Sequence, residues 1–314
     1  MFALIKARLL QLILVLFLLS LLTFALMKLA PGDPVLAMLQ FDEMHVTQAD
    51  EEMLHKELGF DQPMLVQYGR WVFGILRLDF GESYIKGKPV LDELMDRLPL
   101  TILLTFGGLV VMTMIALPLG LLAAKYPNKW PDHAGRIIAL IGASIPSFWM
   151  GLLLIYTFAW KLSWLPTMGK GGVETLILPS LTLGFAMAAV YARMLRAGLI
   201  ESLSQEYIRA ARARGIAEWR IFLRHALRAA LLPVLTVFGM SMGSLLAGSV
   251  VVETLFSWPG VGSMVVEAIF QRDYPVVQGY ILMTGVFVVI VNLLVDIAYG
   301  WLDPRIRLGR SERE

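Results

Sequence analysis

An all-α polytopic membrane protein with six transmembrane helices is the fold class this sequence predicts, and three observations predict it. The first is composition: 57% hydrophobic and 17% charged residues, with a mean hydropathy of +0.69. Soluble domains carry about 25% charged residues, so the balance here points to a lipid environment. The second is six uncharged apolar runs, at 9–27, 98–124, 137–160, 175–192, 229–252 and 274–295. Each reaches roughly the 17–25 residues that cross about 30 Å of hydrocarbon as a helix, the run at 175–192 being the shortest. The third is the placement of lysine and arginine. Segments 1–8, 125–136, 193–228 and 296–314 together hold 17 of them, against 10 in 28–97, 161–174 and 253–273. That bias predicts both termini in the cytoplasm and residues 28–97 outside.

The first run follows Lys6 and Arg8. It is longer than the 7–15 residues of a signal-peptide core, and Leu29 spoils a small-x-small cleavage site at Ala30, so an uncleaved first span is expected. Pro31-Gly32-Asp33-Pro34 then ends the span. Within 28–97, a helix is expected from Thr47 to Leu58 with Gly59 as its stop, and a second from Pro63 to about Leu78. Gly81, Gly87 and Pro89 mark loop, and Val90–Arg97 reads as a helix entering the second span. This region holds 13 acidic residues and reads as a small external helical cap. The expected organisation is residues 1–28 as tail and first span, 29–97 as the cap, and 98–314 as a five-helix core containing a cytoplasmic loop at 193–228.

Pro118, Pro146, Pro179 and Pro233 fall inside the spans, where each removes a backbone hydrogen bond and is expected to kink its helix. Gly239-Met240-Ser241-Met242-Gly243 fits the G-x-S-x-G hydrolase pattern, but it lies in an apolar helix rather than a strand-to-helix turn. No histidine, aspartate or glutamate falls within the six runs to serve as its base, so the pattern reads as small-residue helix packing and an intramembrane enzyme is disfavoured. There is no cysteine, and His45, His55, His133 and His225 show no metal-ligand spacing; no metal site is expected. Span methionines such as Met112, Met187 and Met240 read as packing. Gly169-Lys170-Gly171-Gly172 lacks the spacing and hydroxyl of a nucleotide-binding P-loop.

The most informative segment is 193–228, with eight arginines against three glutamates and a cluster of small residues, Ala210, Ala211, Ala213 and Gly215. Glu206 to Arg214 reads as a short helix, with Glu206 and Arg209 paired at i,i+3 and Gly215 as its left-handed stop. Trp219, Phe222, Leu223, Ala226, Leu227, Ala230 and Leu231 follow as an amphipathic stripe running into the fifth span. Short side chains let a partner backbone approach, so this segment suits docking of another protein; a basic helix resting on anionic lipid is the alternative. Glu253–Tyr274, with Trp258-Pro259-Gly260 at its turn, suits an interfacial aromatic belt or a short outer re-entrant segment closing an external gate.

E-Y-I-R-A-A-R-A-R-G at 206–215 and H-A-L-R-A-A-L-L-P-V at 225–234 resemble the docking loop of ABC-transporter permeases serving dipeptides, oligopeptides, glutathione and nickel. A-P-G-D-P at 30–34, L-G-F-D-Q-P at 58–63, L-D-F-G-E-S at 78–83, E-T-L-F-S-W-P-G-V-G at 253–262, R-D-Y-P-V-V-Q at 272–278 and N-L-L-V-D…L-D-P-R-I-R at 292–307 extend the resemblance over nearly the whole chain. The generic signature E-A-A-x3-G stands here as Arg209-Ala210-Ala211-x3-Gly215, with arginine in place of the glutamate and Gly215 farther from Pro233 than usual. The resemblance implies a type I importer permease fold in a bacterial inner membrane. It implies a second permease subunit, two ATPases that bind the ATP and magnesium, an external substrate-binding protein, and no nucleic acid. This chain would hold no cofactor and have no catalytic residues of its own. Glu206, Tyr207, Arg209, Ala210, Ala211 and Gly215 are the residues expected at the ATPase, and Trp258, Pro259 and Gly260 those at the external gate. The short loop with L-P-T-M-G-K-G-G at 165–172 is more similar to nickel-type permeases. Nickel or a metal–chelate complex is therefore the expected cargo, with a di- or oligopeptide or glutathione as the alternative.

Because the sequence lacks native cysteine, the topology is open to direct test. In intact cells an impermeant thiol reagent should label Asp50→Cys and leave Ser204→Cys unmodified; the opposite labelling would invert the orientation.

Overall fold

The computed structural model describes residues 2–29, 35, 53, 55–56, 59–167 and 172–302. The expected turn at 31–34, most of the expected helix at 47–58, His45, Gly169-Lys170-Gly171 and the tail from 303 lie outside the described residues. The described elements are helical, and five helices are long and apolar enough to cross a membrane, or six if one bent pair counts as a span. The chain divides into two compact units, residues 1–101 with 259–289 and residues 102–258 with 290–314.

The first unit contains α1 (Phe2–Leu29), α2 (Met64–Leu76), the start of α3 (Val90–Lys125), α9 (Val261–Gln271) and the start of α10 (Tyr274–Leu302). Pro63 initiates α2 as expected, Gly81 and Gly87 take positive φ in the loop the sequence assigned to them, and Gly59 does so too. Val90 and Leu94 of α3 pack on Val261, Met264, Val265 and Ala268 of α9 and on Val276 and Val277 of α10. The close approach needs Gly279, where a Cβ would lie 2.8 Å from Val90 Cγ1. Thr101 Oγ1 accepts the Val261 N–H at 2.9 Å, satisfying one of the orphan donors at the start of α9. Against α1, Tyr68 of α2 shares a hydrogen bond with Ser20 (2.9 Å) and meets Phe24 edge-on at 5.4 Å.

The second unit is built around α6 (Val173–Leu203), which packs against α4 (Trp130–Ser144), α5 (Ser147–Leu154) and α8 (Leu227–Leu255). Small residues make this possible. A Cβ on Gly184 would come 2.5 Å from the Gly108 carbonyl oxygen of α3, and one on Gly198 3.3 Å from Ala230 Cα of α8. Backbones therefore touch at two levels of the same helix, as small-residue faces permit in membranes. The 175–192 run, marginal as a span by length, is extended in both directions, and α6 continues through Arg193 and Arg196 to Leu203. Gly239 of the G-x-S-x-G stretch lies inside α8, where its added Cβ would sit 3.0 Å from Val295 of α10. It is a packing glycine, as the helix periodicity implied.

Two expectations need correction. The third run, 137–160, is not one kinked helix: α4 and the segment Ser147–Lys161 meet at 102°. Ile145 and Pro146 are both extended (ψ 124° and 139°), because the proline ring disfavours the helical region for the residue before it. Pro179 and Pro233, by contrast, sit inside continuous helices, and Pro118 falls within the range of α3. Second, the helices outrun the apolar runs and so acquire carboxylates. Glu253 near the end of α8 is fully buried (0% exposed), and Asp296 lies within α10.

Candidate docking site

α6 ends at Leu203, and Ser204 and Gln205 turn the chain into α7 (Glu206–Ala213). Glu206 occupies the first turn and Arg212 the last, each at the end where the helix dipole favours its charge. The stop is a complete Schellman arrangement. The Gly215 N–H donates to Arg212 O (2.9 Å), the Ile216 N–H donates to Ala211 O (3.2 Å), and Gly215 has φ +74°. The ion pair of this segment joins Arg212 Nε to Glu218 across the turn at 2.7 Å, and Glu218 raises the Arg212 pKa further. The expected Glu206–Arg209 pair is not among the ion pairs of the described residues.

One face of α7 is sealed. Ile208 and Ala211 pack with Leu195 and Leu199 of α6, Ala124 of α3, and Ile221, Ala226 and Ala230 leading into and along α8. Tyr207 Oη is 2.7 Å from Ser202 Oγ, which ties α7 back to the end of α6. Glu206, Tyr207, Arg209, Ala210 and Gly215 are exposed, whereas Ala211 is 9% exposed. Five of the six expected contact residues thus share the open side, and Ala211 belongs to the packing beneath.

The amphipathic stripe also departs from its expected register. Residues Ile221–Ala226 form a π-helical stretch between a short turn, Glu218–Arg220, and α8. Extra residues per turn shift the buried side, so Ile221, Ala226 and Ala230 are buried at spacings of five and four. Trp219, expected on the stripe, is 63% exposed, and Leu223 is exposed too.

A second anchor was not singled out from the sequence. Asp132 in the first turn of α4 is 0% exposed. Arg196 of α6 grips it with two hydrogen bonds, Nε to Oδ1 and Nη2 to Oδ2 (2.8 Å), Arg136 adds a third, and the Asn128 N–H a fourth (2.8 Å). A buried carboxylate with a bidentate arginine and filled lone pairs is a rigid joint. The i,i+4 spacing of Asp132 and Arg136 was its only local signal; the partner that completes it is 64 residues away.

At the other candidate site, Ser257 takes φ 50°, the Trp258 N–H donates to Glu253 O (2.8 Å), and Trp258 is buried. Gly260 is the extended residue preceding α9, and Arg272 in the left-handed region ends that helix. Asp273 follows as the N-cap of α10, accepting from the Val276 N–H. It also accepts from Ser83 Oγ and from the Tyr84 N–H (3.1 Å). Burial pushes the Asp273 carboxyl up, against the pull of those hydrogen bonds, and burial together with the Asp273 charge pushes the Tyr84 hydroxyl up. The α9–α10 corner is thereby fixed to the loop before α3, a link no local pattern displays. Among the described residues no three histidine, aspartate or glutamate side chains gather as a metal site.

Residues 116–308 match the family described as the binding-protein-dependent transport system inner membrane component, and residues 1–105 match its N-terminal counterpart. The chain belongs to that family. It is a permease component of a binding-protein-dependent ABC importer of the inner membrane, a transport subunit and not itself catalytic. Such permeases act with ATPase and substrate-binding partners. The chain is 41% identical over 302 residues to the Glutathione transport system permease protein GsiC of Escherichia coli, covering 96% of this chain and 97% of that protein. The same identity and coverage hold for the protein of that name from Shigella dysenteriae. Among solved structures, inward-facing conformations of the MetNI methionine ABC transporter match with a TM-score of 0.55 and 19% identity, over 67% of this chain and 96% of that one. That likeness shows the permease fold.

Removing the carboxylate alone should be costly, because the half-buried Arg196 guanidinium loses its partner, while the exposed Arg136 turns to solvent. Asp132→Ala is expected to destabilise by about 1–3 kcal/mol, and the Asp132→Ala/Arg196→Met pair by clearly less. Thermal unfolding of the purified variants checks the ordering.

Proposed function

We propose that this permease forms half of the translocation pathway of an importer for short peptides of the glutathione type, delivered by a substrate-binding protein. The observation that carries the cargo reading is the 41% identity, end to end, with permeases named for glutathione transport. Nickel or a metal–chelate complex, the cargo first suggested by the short 161–174 loop, becomes the second reading; its support is that loop alone, and 168–171 lie outside the described residues. A second, non-identical permease completes the pathway, and two ATPase subunits bind the ATP and magnesium. Both termini and α7 face the cytoplasm, and residues 29–97 form the external cap.

In this mechanism the ATPase grips the exposed side of α7. Glu206 and Tyr207 flank its start, Arg209 and Ala210 its middle, and Gly215 its stop, while Ala211 holds the helix to the body of the protein. Closure of the two ATPases pulls α7. The Ile208/Ala211 packing and the Tyr207–Ser202 contact pass that displacement to α6 and α8, which have two arrangements that ATP biases. Trp258, Pro259 and Gly260, at the turn between α8 and α9, act as the external gate. The energy is the ATPase's; this chain converts it into opening.

Two outcomes test this reading. Ala210→Trp and Gly215→Val should reduce co-purification of the ATPase, the first by bulk on the open face and the second by strain at positive φ, of order 1–2 kcal/mol. Ala211→Trp should instead lower the permease's own thermal stability, by about 1–3 kcal/mol from overpacking. Retention of full ATPase binding in the first two would remove α7 as the docking element. For the cargo, the importer reconstituted with its binding protein should accumulate labelled glutathione or a short peptide and not nickel; nickel uptake without peptide uptake would return the second reading.

A further inference from the structure

The sequence places α2 in the external cap, as part of a solvated lid or of a docking face for an external protein, and the packing of this helix points elsewhere. Tyr68 and Trp71 meet α1 at Ser20 and Phe24, with a 2.9 Å hydrogen bond to Ser20 and ring separations of 5.4 and 6.0 Å to Phe24. These α1 residues lie seven and three positions before Met27, where the apolar run of the first span ends. At the helical rise they sit about 10 Å and 5 Å inside the hydrocarbon end of that helix. An element that hydrogen-bonds Ser20 therefore reaches below the membrane surface.

The opposite side of α2 is apolar and, among the described residues, left exposed. Leu65 is 84% and Leu76 78% exposed, and Val66 and Phe73 are exposed beside them. Among the described residues α2 buries none of its own side chains. A water-facing helix of this composition would leave a large apolar patch in solvent. Its charges are limited to Arg70 and Arg77, on one flank; Arg77 lies over the Phe73 ring at 4.1 Å and Arg70 donates to Gln62. Apolar face, basic flank and aromatic rings are the parts of a helix lying in a membrane interface. Leu22, Leu26 and Leu29 of α1, the spanning helix that α2 packs against, are exposed as well.

We propose that α2 is immersed in the leaflet at the C-terminal end of α1, with Leu65, Phe73 and Leu76 against acyl chains and Arg70 and Arg77 reaching lipid headgroup phosphates. That this is the outer leaflet rests on the orientation proposed above. The immersion fixes the height of the cap against the bilayer, so that the loop Asp79–Pro89 stands at the membrane surface. Arginine suits the role because its long apolar stem lies along lipid while the guanidinium meets phosphate.

The test uses the assembled importer in phosphatidylethanolamine vesicles with and without phosphatidylglycerol. Nitroxide labels are placed singly at Leu65→Cys and Leu76→Cys, with Leu22→Cys as the lipid reference and Glu82→Cys as the aqueous one. Collision with oxygen should exceed collision with a water-soluble chromium complex several-fold at 65 and 76, as at 22, and the ratio should invert at 82. Water-like ratios at 65 and 76 would restore the solvated lid, and low access to both reagents would assign the face to a protein partner; either overturns the proposal. Phosphatidylglycerol should raise oxygen access at 76, and Arg70→Gln/Arg77→Gln should abolish that response; an undiminished response overturns the headgroup contact. Reactivity of Glu82→Cys to an impermeant thiol reagent in intact cells reports orientation separately, so a wrong orientation and a wrong immersion give different results.

Discussion

The carboxylate of Asp132, with no exposed surface, is the joint between α4 and α6 on which the packing of the second unit depends. Its two oxygens are taken up by Arg196, Arg136 and the Asn128 N–H, so α4 and α6 cannot slide past one another without exposing an unpaired charge. α6 is in turn the helix against which α4, α5 and α8 pack, with a tight approach to α8 at Gly198 and one to α3 at Gly184 too close for any side chain. Packing this close transmits strain between the helices rather than absorbing it.

Helix α7 is anchored on that packing. α7 is eight residues long and could not persist alone in water. It is held by Ile208 and Ala211 beneath, by Tyr207 on Ser202 at one end and by the Schellman stop at Gly215 at the other. The same residues that fix it leave Ala210, Arg209 and Gly215 exposed. The π-helical stretch at Ile221–Ala226 completes the arrangement: by widening the turn it directs Ile221 as well as Ala226 and Ala230 into the packing under α7.

In the first unit a single buried carboxylate again joins distant segments, Asp273 capping α10 while holding the Ser83–Tyr84 loop. Both units thus use an aspartate at a helix start as a tie, where the N-terminal N–H groups already favour negative charge. The hydrophobic core of this unit, Val90 and Leu94 on α9 and α10, depends on Gly279 for its close approach.

The sequence by itself determined the membrane class, the family and the short helix at 206–213, because those follow from local quantities. Run length sets spans, Pro63 and Gly215 set helix limits, and the order of motifs along the chain sets the family. Tertiary structure alone decided what depends on the meeting of remote residues. The pairing of Asp132 with Arg196, of Asp273 with Ser83 and of Tyr68 with Ser20 spans 64, 190 and 48 residues, and no local period carries such information. The register of the stripe before α8 was misread for a related reason. A pattern of 3.6 assumes an α-helix, and the buried position open to Ile221 beneath α7 shifted the turn to a wider one, leaving Trp219 outside. The 102° break at Pro146 was half legible: the proline fixed where the chain bends, and the packing of α5 against α6 and α8 fixed how far.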